Sequence, residues 1–274
     1  MIRLKKENNK NLKKLALELR KDIIDISYHK KAHHIGSELS CIDILATLYF
    51  SIMNINPLIK NNKSRDFFLL SKGHAALALY VVLCKKGFFS KKFLINHFLT
   101  NGGKLGGHPD QDKSLGIEYS SGSLGHGLSV GAGIALGKKR NEISGDVYVL
   151  LGDGECNEGM IWESMMFASN FKLNNLTAII DNNNLQGLDY SDNIINLKPL
   201  DEKLKSFGWD VYIVDGHNFM ELKKVFNKKN SKPKVIIANT IKGKGLSSME
   251  NTISSHYETI DSKLKYEKLI KELK

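Results

Sequence analysis

The chain has 274 residues, of which 42% are hydrophobic and 25% charged, as is typical of a globular protein with a large core. Its formal net charge is +11, but the lysines are spread along the chain and form no basic stripe interleaved with aromatic residues, so no nucleic-acid partner is expected. The three cysteines, Cys41, Cys84 and Cys156, lack any paired spacing, which argues against disulfides and zinc and favours a reducing, cytoplasmic location.

The sequence gives no sign of membrane insertion or secretion. The longest apolar stretch, residues 75–84, is too short to cross a bilayer. The N-terminus lacks an apolar signal core and runs directly into an amphipathic helical pattern. We therefore expect neither a membrane partner nor a secretory signal.

The first half of the chain is mainly helical by pattern. Apolar residues at helical spacing predict helices over residues 12–27, 41–53, 75–85, 91–98 and 124–140, with a short buried strand at 67–70. Residues 100–123 form a Gly-rich segment without a regular pattern, and loops of this length in compact domains are usually functional.

In the second half, strands and helices alternate. Strands are predicted over residues 146–151, 176–180, 209–214 and 234–238, and helices over 157–173, 200–207, 219–227 and 261–273. No repeat or linker interrupts the pattern. Such alternation predicts one α/β domain over residues 1–274, with a doubly wound, mainly parallel sheet and helices on both of its faces.

Two polar motifs lie where neighbouring strands end. Asp153 stands in Gly152-Asp153-Gly154, and Asn183 stands in Asp181-Asn182-Asn183-Asn184. The helical segment between them makes a strand–turn–helix–strand unit, and its right-handed crossover brings both strand ends to the carboxyl edge of the sheet. A lone Gly-Asp-Gly is more often just a turn, but a second polar motif at the matching position favours a site.

A carboxylate and an amide oxygen at one sheet edge are suited to a hard cation. Mg²⁺ takes few protein oxygens and completes its octahedron with phosphate oxygens and water. We therefore predict that Asp153 and Asn183 contribute to a magnesium site.

The run from Gly152 to Gly159, followed by Asp181 to Asn184, resembles the thiamine diphosphate fingerprint in its transketolase version. Further segments match the transketolase pattern in the same order, and a last one ends at His256. They are Ala32-His33-His34-Ile35-Gly36, Ser71-Lys72-Gly73-His74-Ala75, Gly106-Gly107-His108-Pro109-Asp110, Ser121-Gly122-Ser123-Leu124-Gly125-His126-Gly127 and Ala238-Asn239-Thr240-Ile241-Lys242-Gly243-Lys244-Gly245. The resemblance covers nearly the whole chain.

A full transketolase is much longer, and this chain is similar only to its first domain, which holds the diphosphate. It resembles the N-terminal subunit of a split transketolase. The resemblance implies that thiamine diphosphate is bound through Mg²⁺, with Asp153, the Asn183 side chain and the Leu185 backbone carbonyl as metal ligands and with Gly154 and Asn183 contacting the cofactor. The implied reaction transfers a two-carbon ketol unit from a ketose phosphate to an aldose phosphate, the cofactor serving to stabilise a carbanion.

The resemblance also assigns roles to four histidines. His74 is expected to contact the diphosphate, whereas His34, rather than His33, and His108 face the reacting sugar. His256 matches a fourth histidine, which contacts both sugar and cofactor, although the family usually has glycine after it and this chain has Tyr257. Imidazole suits these roles because it exchanges protons and hydrogen-bonds near neutral pH. The remaining histidines are expected to be structural or exposed, namely His29, His33, His97, His126 and His217.

Some motif residues have a simpler alternative explanation. Gly122, Gly125 and Gly127 are expected to let the backbone approach the thiazolium region of the cofactor, but a glycine-rich helix start packed on the sheet gives the same pattern. By resemblance, Glu158 belongs to a carboxylate network between cofactor sites. A plain first-turn carboxylate that complements the helix dipole is the alternative. Glu155 is expected to be a local turn residue.

The resemblance implies a protein partner. In transketolases a glutamate of a second domain activates the cofactor, and that domain forms the pyrimidine pocket. Because the motif matches run from His34 to His256, little sequence is left for a second domain, and we expect a C-terminal transketolase subunit with the pyrimidine-binding domain to supply it. Two alternatives stay open. One is another thiamine diphosphate reaction, such as a related ketol transfer or a decarboxylation, and the other is a non-catalytic cofactor-binding subunit.

Overall fold

A five-stranded parallel sheet forms the centre of the computed structural model, which describes residues 7–273. Neighbouring strands pair in the order β1-β2-β3-β5-β4, and every pair is parallel. The strands are β1 (Phe67–Leu70), β2 (Val147–Gly152), β3 (Leu176–Asn182), β4 (Asp210–Asp215) and β5 (Lys234–Asn239). The predicted strands are thus confirmed. The N-terminal residues used to argue against a secretory signal lie mostly outside the described range, as do both ends of the predicted 1–274 domain.

Helices surround the sheet. They are α1 (Asn9–Lys30), α2 (Ile35–Thr47), α3 (Ala76–Lys86), α4 (Lys91–His97), α5 (Gly127–Arg140), α6 (Gly159–Asn170), α7 (Ser191–Ile194), α8 (Leu200–Ser206), α9 (Phe219–Phe226) and α10 (Lys263–Glu272). The single turn α7 has no counterpart in the sequence prediction. It is too short to show a periodic pattern.

The two faces of the sheet bury separate cores. Successive strand residues point to opposite faces, so Phe68 and Leu70 pack with α1, α2, α3 and α9, while Leu69 packs with α5, α6 and α8. Helices therefore cover both faces, which confirms the doubly wound α/β fold. The one backward step, from β4 to β5, places α9 on the face opposite α6 and α8, as right-handed crossovers require.

Helix α2 begins at Ile35, earlier than the predicted residue 41, and all of its residues are buried. Its first turns carry polar residues that mask the apolar period. One later polar residue, Asp43, is paired with Arg20 at 2.7 Å between Oδ2 and Nη2. The segment Ile35–Ile52 is long and apolar enough to cross a membrane, which the sequence prediction missed. However, 89% of that segment is buried inside this chain, as in the core helix of a globular domain.

Helix α5 begins at Gly127, three residues after the predicted start. Gly125 has φ +86°, a left-handed conformation that interrupts a helix and that glycine adopts without strain. Gly127 is constrained by packing, since a Cβ there would lie 2.5 Å from the Ser71 side chain. Close packing at the start of α5, the alternative explanation for the motif glycines, therefore accounts for the glycine at position 127.

Two glycines of α5 make a matched pair for a stability test. A Cβ on Gly131 would lie 2.4 Å from Val149 Cγ2 on the sheet, whereas a Cβ on Gly133 would meet no atom within 4 Å. We expect Gly131→Ala to lower the free energy of unfolding by about 1–3 kcal/mol through overpacking. Gly133→Ala should raise it by about 0.5–1 kcal/mol because alanine favours the helix. Urea unfolding of the two variants checks this, and equal effects would contradict the packing of α5 on β2.

Candidate active site

The carboxyl ends of the strands gather the motif residues at one edge of the sheet. Gly152 pairs in register with Asp181, and Asn182 pairs with Asn239. Asp153 therefore follows β2 beside the end of β3, where Asn183 follows. The two motifs that the sequence analysis placed together do lie at the same edge.

Four histidines cluster above this edge. The ring of His34 has its centroid 5.7 Å from that of His74, 6.0 Å from that of His108 and 5.0 Å from that of His256. His74 and His256 are 5.4 Å apart. These are the four histidines that the resemblance assigned to the site, and they come from four different segments of the chain.

Local backbone geometry directs His34 into the cluster. His34 has φ +69° and immediately precedes α2, and its N–H donates to the His256 carbonyl at 3.0 Å. His74 lies in a 3₁₀ turn between β1 and α3. Tyr257, the departure from the family pattern, also lines the site, with its ring 6.1 Å from that of His34. His217, predicted to be structural or exposed, lies outside this cavity and hydrogen-bonds the buried Asp43 at 2.7 Å.

Lowered pKa values favour the neutral form of three of the four clustered histidines, His34, His74 and His256, near pH 7. Burial, reinforced by His108, His33 and Lys242, lowers the pKa of His34 to about 4. Burial and the Lys242 ammonium lower the pKa of His256 to about 3. Burial, together with Lys72, holds the pKa of His74 well below its usual range. Neutral imidazoles can both donate and accept hydrogen bonds.

Asp153 and Asn183 are buried and already hydrogen-bonded. Asp153 accepts from the backbone N–H of Gly154 at 2.8 Å and from Ser191 Oγ at 3.0 Å. Burial raises the pKa of Asp153 to about 6, against the lowering effect of the Ser191 bond. Asn183 Oδ1 accepts from the Leu185 N–H at 3.1 Å. A buried carboxylate of this kind gains from a cation nearby.

Lys242 contacts the loop after β3 and is a site residue that the sequence analysis missed, although it lies inside a matched motif. Its Nζ donates to the carbonyls of Leu185 at 3.2 Å and Gln186 at 2.9 Å, and lies 3.2 Å from His256 Nδ1. Burial, and next the positive Lys72, lowers the pKa of Lys242 to about 8. The Leu185 carbonyl, the predicted third metal ligand, thus already faces a cation.

Glu155 is more than the local turn residue that the sequence predicts. Its buried carboxylate accepts from Ser71 Oγ at 2.6 Å, from the Gly125 N–H at 3.0 Å and from the Gly152 N–H at 2.8 Å. Burial raises the pKa of Glu155, and these bonds oppose the rise. Nothing in the local sequence reveals this role, because two of the donors are far away along the chain.

The motif glycines differ in what they contact. Gly122 lies at the cavity near His108, where a Cβ would be 3.9 Å from His108 Cδ2. A Cβ on Gly154 would lie 2.8 Å from Cδ of the flexible Gln186 side chain, which packs closely on the glycine. A Cβ on Gly125 would lie 2.7 Å from Glu158 Cβ, so these two residues pack against each other. Neither residue lines the cavity, and Glu158 is exposed.

A cavity of about 420 Å³ unites most of the predicted site residues. Those that line it are His34, His74, His108, Gly122, Asp153, Gly154, Asn183, Leu185 and His256. A larger cleft of about 1040 Å³ lies along α1 and α9 and is lined by none of the predicted residues among residues 7–273. In that same range no group of three or more His, Cys, Asp or Glu side chains is arranged to hold a metal ion.

Comparison with known proteins agrees with this fold. Residues 12–268 match the family model "Transketolase, thiamine diphosphate binding domain". The chain is 40% identical to one of the apulose-4-phosphate transketolase subunits of Phocaeicola vulgatus, over 93% of this chain and 90% of the relative. It is also 40% identical to the 6-deoxy-6-sulfo-D-fructose transketolase subunit SqwG of a Clostridium species, over 81% of this chain and 82% of the relative.

Single-chain transketolases match over part of their length. The chain is 38% identical to human transketolase over 96% of its own length but 42% of the relative. The crystal structure of Campylobacter jejuni transketolase superposes with a TM-score of 0.89 at 28% identity, covering 97% of this chain and 43% of that one. The fold and the cavity define a thiamine diphosphate-binding domain. The chain belongs to the transketolase family and corresponds to its thiamine diphosphate-binding domain.

The neutral state of His34 makes stability depend on pH. Its pKa is about 4 in the folded chain and 6.5 in the absence of structure, so the unfolded chain binds more protons between these values and stability falls as the pH falls through them. His34→Asn removes this group and keeps a residue that tolerates positive φ. We expect a shallower loss of unfolding free energy between about pH 7 and about pH 5. His29→Asn, on the exposed side of α1, is the control, and an unchanged slope in His34→Asn would contradict the burial of this ring.

Proposed function

We propose that this chain is the cofactor-binding subunit of a two-subunit transketolase that transfers a ketol unit between a ketose phosphate and an aldose phosphate. Thiamine diphosphate and Mg²⁺ are the cofactors. The observation that carries the proposal is the cluster of His34, His74, His108 and His256 above the strand end that bears Asp153. The proposed location is the cytoplasm.

The residues present fit a magnesium-bound diphosphate. Asp153 offers a carboxylate, Asn183 an amide oxygen and Leu185 a backbone carbonyl, all lining the same cavity. This oxygen set is poor in charge, as expected where phosphate oxygens complete the shell of Mg²⁺. Gly122 leaves room for close approach of the cofactor, since the nearest atom to a Cβ there would be 3.9 Å away. When bound, thiamine diphosphate supplies carbanion stabilisation.

The chain itself contributes binding, orientation and proton management. The neutral His34 imidazole can both donate to and accept from sugar hydroxyls, and His108 lies beside it to bind the same sugar. Neutral His256 would do the same between sugar and cofactor. His74, at the base of the cavity, donates to the diphosphate. Lys242 places an ammonium within hydrogen-bond distance of His256, which adds positive charge where the diphosphate is expected. The activating glutamate for the aminopyrimidine would come from the partner.

An apolar rim around the cavity supports a partner that covers it. Leu188 is 83% exposed, Tyr257 58%, Ile194 40% and Leu124 37%, and all four line the cavity. Clustered exposed apolar side chains commonly mark protein contacts. The relatives named as subunits match this chain over nearly their whole length. We propose that the occupant is a C-terminal transketolase subunit with the pyrimidine-binding domain.

A related ketol transfer is the alternative that the relatives favour. Two of them are named for apulose 4-phosphate and for 6-deoxy-6-sulfo-D-fructose. The proposed donor class is therefore an anionic ketose. The only argument for a non-catalytic role is the presence of Tyr257. Its phenol oxygen lies close to Gly187, since a Cβ added there would be 3.1 Å from it. Tyr257 narrows the cavity there, but it leaves the metal-binding set intact.

The metal assignment is tested at Asp153. Asp153→Ala should abolish Mg²⁺-dependent binding of thiamine diphosphate and leave the fold intact, because the residue follows β2 and is not part of either core. Calorimetry with the chain and its partner measures the affinity with and without Mg²⁺. Asp261→Ala, at an exposed aspartate just before α10, is the control. Wild-type affinity in Asp153→Ala would remove this residue from the metal site.

The histidine roles are tested by kinetics. His74→Ala should raise the concentration of thiamine diphosphate needed for half-maximal activity, because it removes a donor to the diphosphate. His108→Ala should leave cofactor affinity unchanged and lower kcat/KM for the sugar, by at least about tenfold for loss of a contact to the reacting substrate. Steady-state rates at varied cofactor and varied sugar separate the two. The reverse pattern would refute the assignment.

The partner is tested at the rim. The purified chain should show no ketol transfer until the partner is added, and full activity without partner would overturn the two-subunit proposal. Leu188→Asp should raise the Kd for the partner by at least about tenfold, since it places a charge in a surface that is desolvated on assembly. Leu264→Asp, equally exposed at 80% on α10, is the matched control. Titration followed by gel filtration or calorimetry measures both.

A further inference from the structure

A buried hydrogen-bond network lies beneath the proposed metal site. The carboxylate of Asp181, at the end of β3, is fully buried and accepts from three side chains. Ser40 Oγ and Lys72 Nζ donate to Oδ2, and Thr240 Oγ donates to Oδ1. These residues belong to α2 and to the segments after β1 and β5, so one carboxylate joins four parts of the chain.

The polarity of the bonds around Ser40 is fixed. Because the carboxylate only accepts, the single hydroxyl proton of Ser40 is used on Asp181. The hydroxyl oxygen is then left as an acceptor, and Asn183 Nδ2 donates to it at 3.2 Å. At the other end of the same amide, Asn183 Oδ1 accepts from the Leu185 N–H at 3.1 Å.

These two contacts decide which end of the Asn183 amide is oxygen. A flipped amide would direct Oδ1 at the Ser40 lone pair and the amide protons at the Leu185 N–H, and both contacts would be repulsive. In the observed orientation, Oδ1 keeps a second lone pair free for a cation. In the flipped orientation the NH₂ group would face the cation and prevent binding.

We propose that Ser40 is a positioning residue for the metal site and fixes the Asn183 amide in its metal-binding orientation. This inference rests on the proposed function, in which Asn183 is a Mg²⁺ ligand. Lys72 and Thr240 also donate to Asp181, and their bonds hold its carboxylate in place for Ser40. Ser40 itself lies in α2, far along the chain from the strand ends that carry the metal ligands.

Replacement of Ser40 tests this role. Ser40→Ala removes the acceptor for Asn183 Nδ2, and we expect the Mg²⁺ concentration for half-maximal thiamine diphosphate binding to rise about 10–100-fold, as for other residues that orient metal ligands. Binding stoichiometry and kcat at saturating Mg²⁺ should stay at wild-type values. Calorimetry of the chain assembled with its partner, titrated with Mg²⁺ in the presence of thiamine diphosphate, gives the half-saturation directly.

Two further variants complete the test. Ser27→Ala is the matched control, because Ser27 is equally buried and its Oγ has no hydrogen-bond partner within residues 7–273. It should bind Mg²⁺ like the wild type. Ser40→Thr keeps the hydroxyl and should restore the wild-type half-saturation. If circular dichroism shows that Ser40→Ala does not fold, Ser40→Cys carries the test, and its weak hydrogen bonding should still raise the half-saturation.

The outcomes separate this inference from the proposed function. Wild-type half-saturation in folded Ser40→Ala or Ser40→Cys overturns the positioning role while the function stands. A wild-type protein that binds thiamine diphosphate without Mg²⁺, or not at all, overturns the proposed function itself. A lower kcat in Ser40→Ala at saturating Mg²⁺, with unchanged half-saturation, also counts against a role through the metal.

Discussion

The buried ion pair between Lys72 and Asp181 is the interaction on which the geometry of the cavity depends. Lys72 follows β1 and Asp181 belongs to β3, while β2, which leads to Asp153, lies between those strands in the sheet. The pair therefore spans the end of the strand that carries the proposed metal carboxylate. Burial disfavours the charge on Lys72, but the adjacent Asp181 carboxylate outweighs it and raises the pKa of Lys72. Separating the strand ends would leave an uncompensated buried charge, which typically costs about 3–5 kcal/mol.

The same ammonium groups set the charge pattern of the cavity. Lys72 and Lys242 place positive charge near the strand ends, and this charge helps to keep His74 and His256 neutral. Under the proposed function, the positive base suits an anionic diphosphate. The neutral imidazoles suit sugar hydroxyls, which need both donors and acceptors. The local charges of Lys72 and Lys242 therefore explain why one part of the cavity suits a diphosphate and another suits sugar hydroxyls. The net charge of the whole chain does not explain this difference.

The sequence alone predicts the fold well, because strands and helices are read from local periodicity. The ends of β2 and β3 are located correctly, and with them Asp153 and Asn183. The start of α2 is missed because Ser37, Glu38 and Ser40 are polar yet buried, and their burial depends on partners elsewhere in the chain. Lys72 and Asp181 are separated by 109 residues, so local sequence patterns do not reveal their pairing. Only the family resemblance predicts that the four histidines lie in one site. Their spacing along the chain does not predict it, because they stand in four separate segments.

The turn after β2 carries two glutamates, Glu155 and Glu158, that differ in burial although they are close in sequence. Glu155 points inward and holds the glycine loop through Gly125, while Glu158 is exposed at the head of α6 and packs on that same glycine. The buried Glu155 carboxylate already accepts three hydrogen bonds within the chain, whereas the exposed Glu158 carboxylate is accessible to a partner. The position of Glu158 is therefore compatible with the predicted network between subunits, and it is equally compatible with the alternative role of complementing the helix dipole. Gly125 thus bonds the buried Glu155 carboxylate through its N–H and packs against the aliphatic part of the Glu158 side chain, so one backbone position contacts both glutamates.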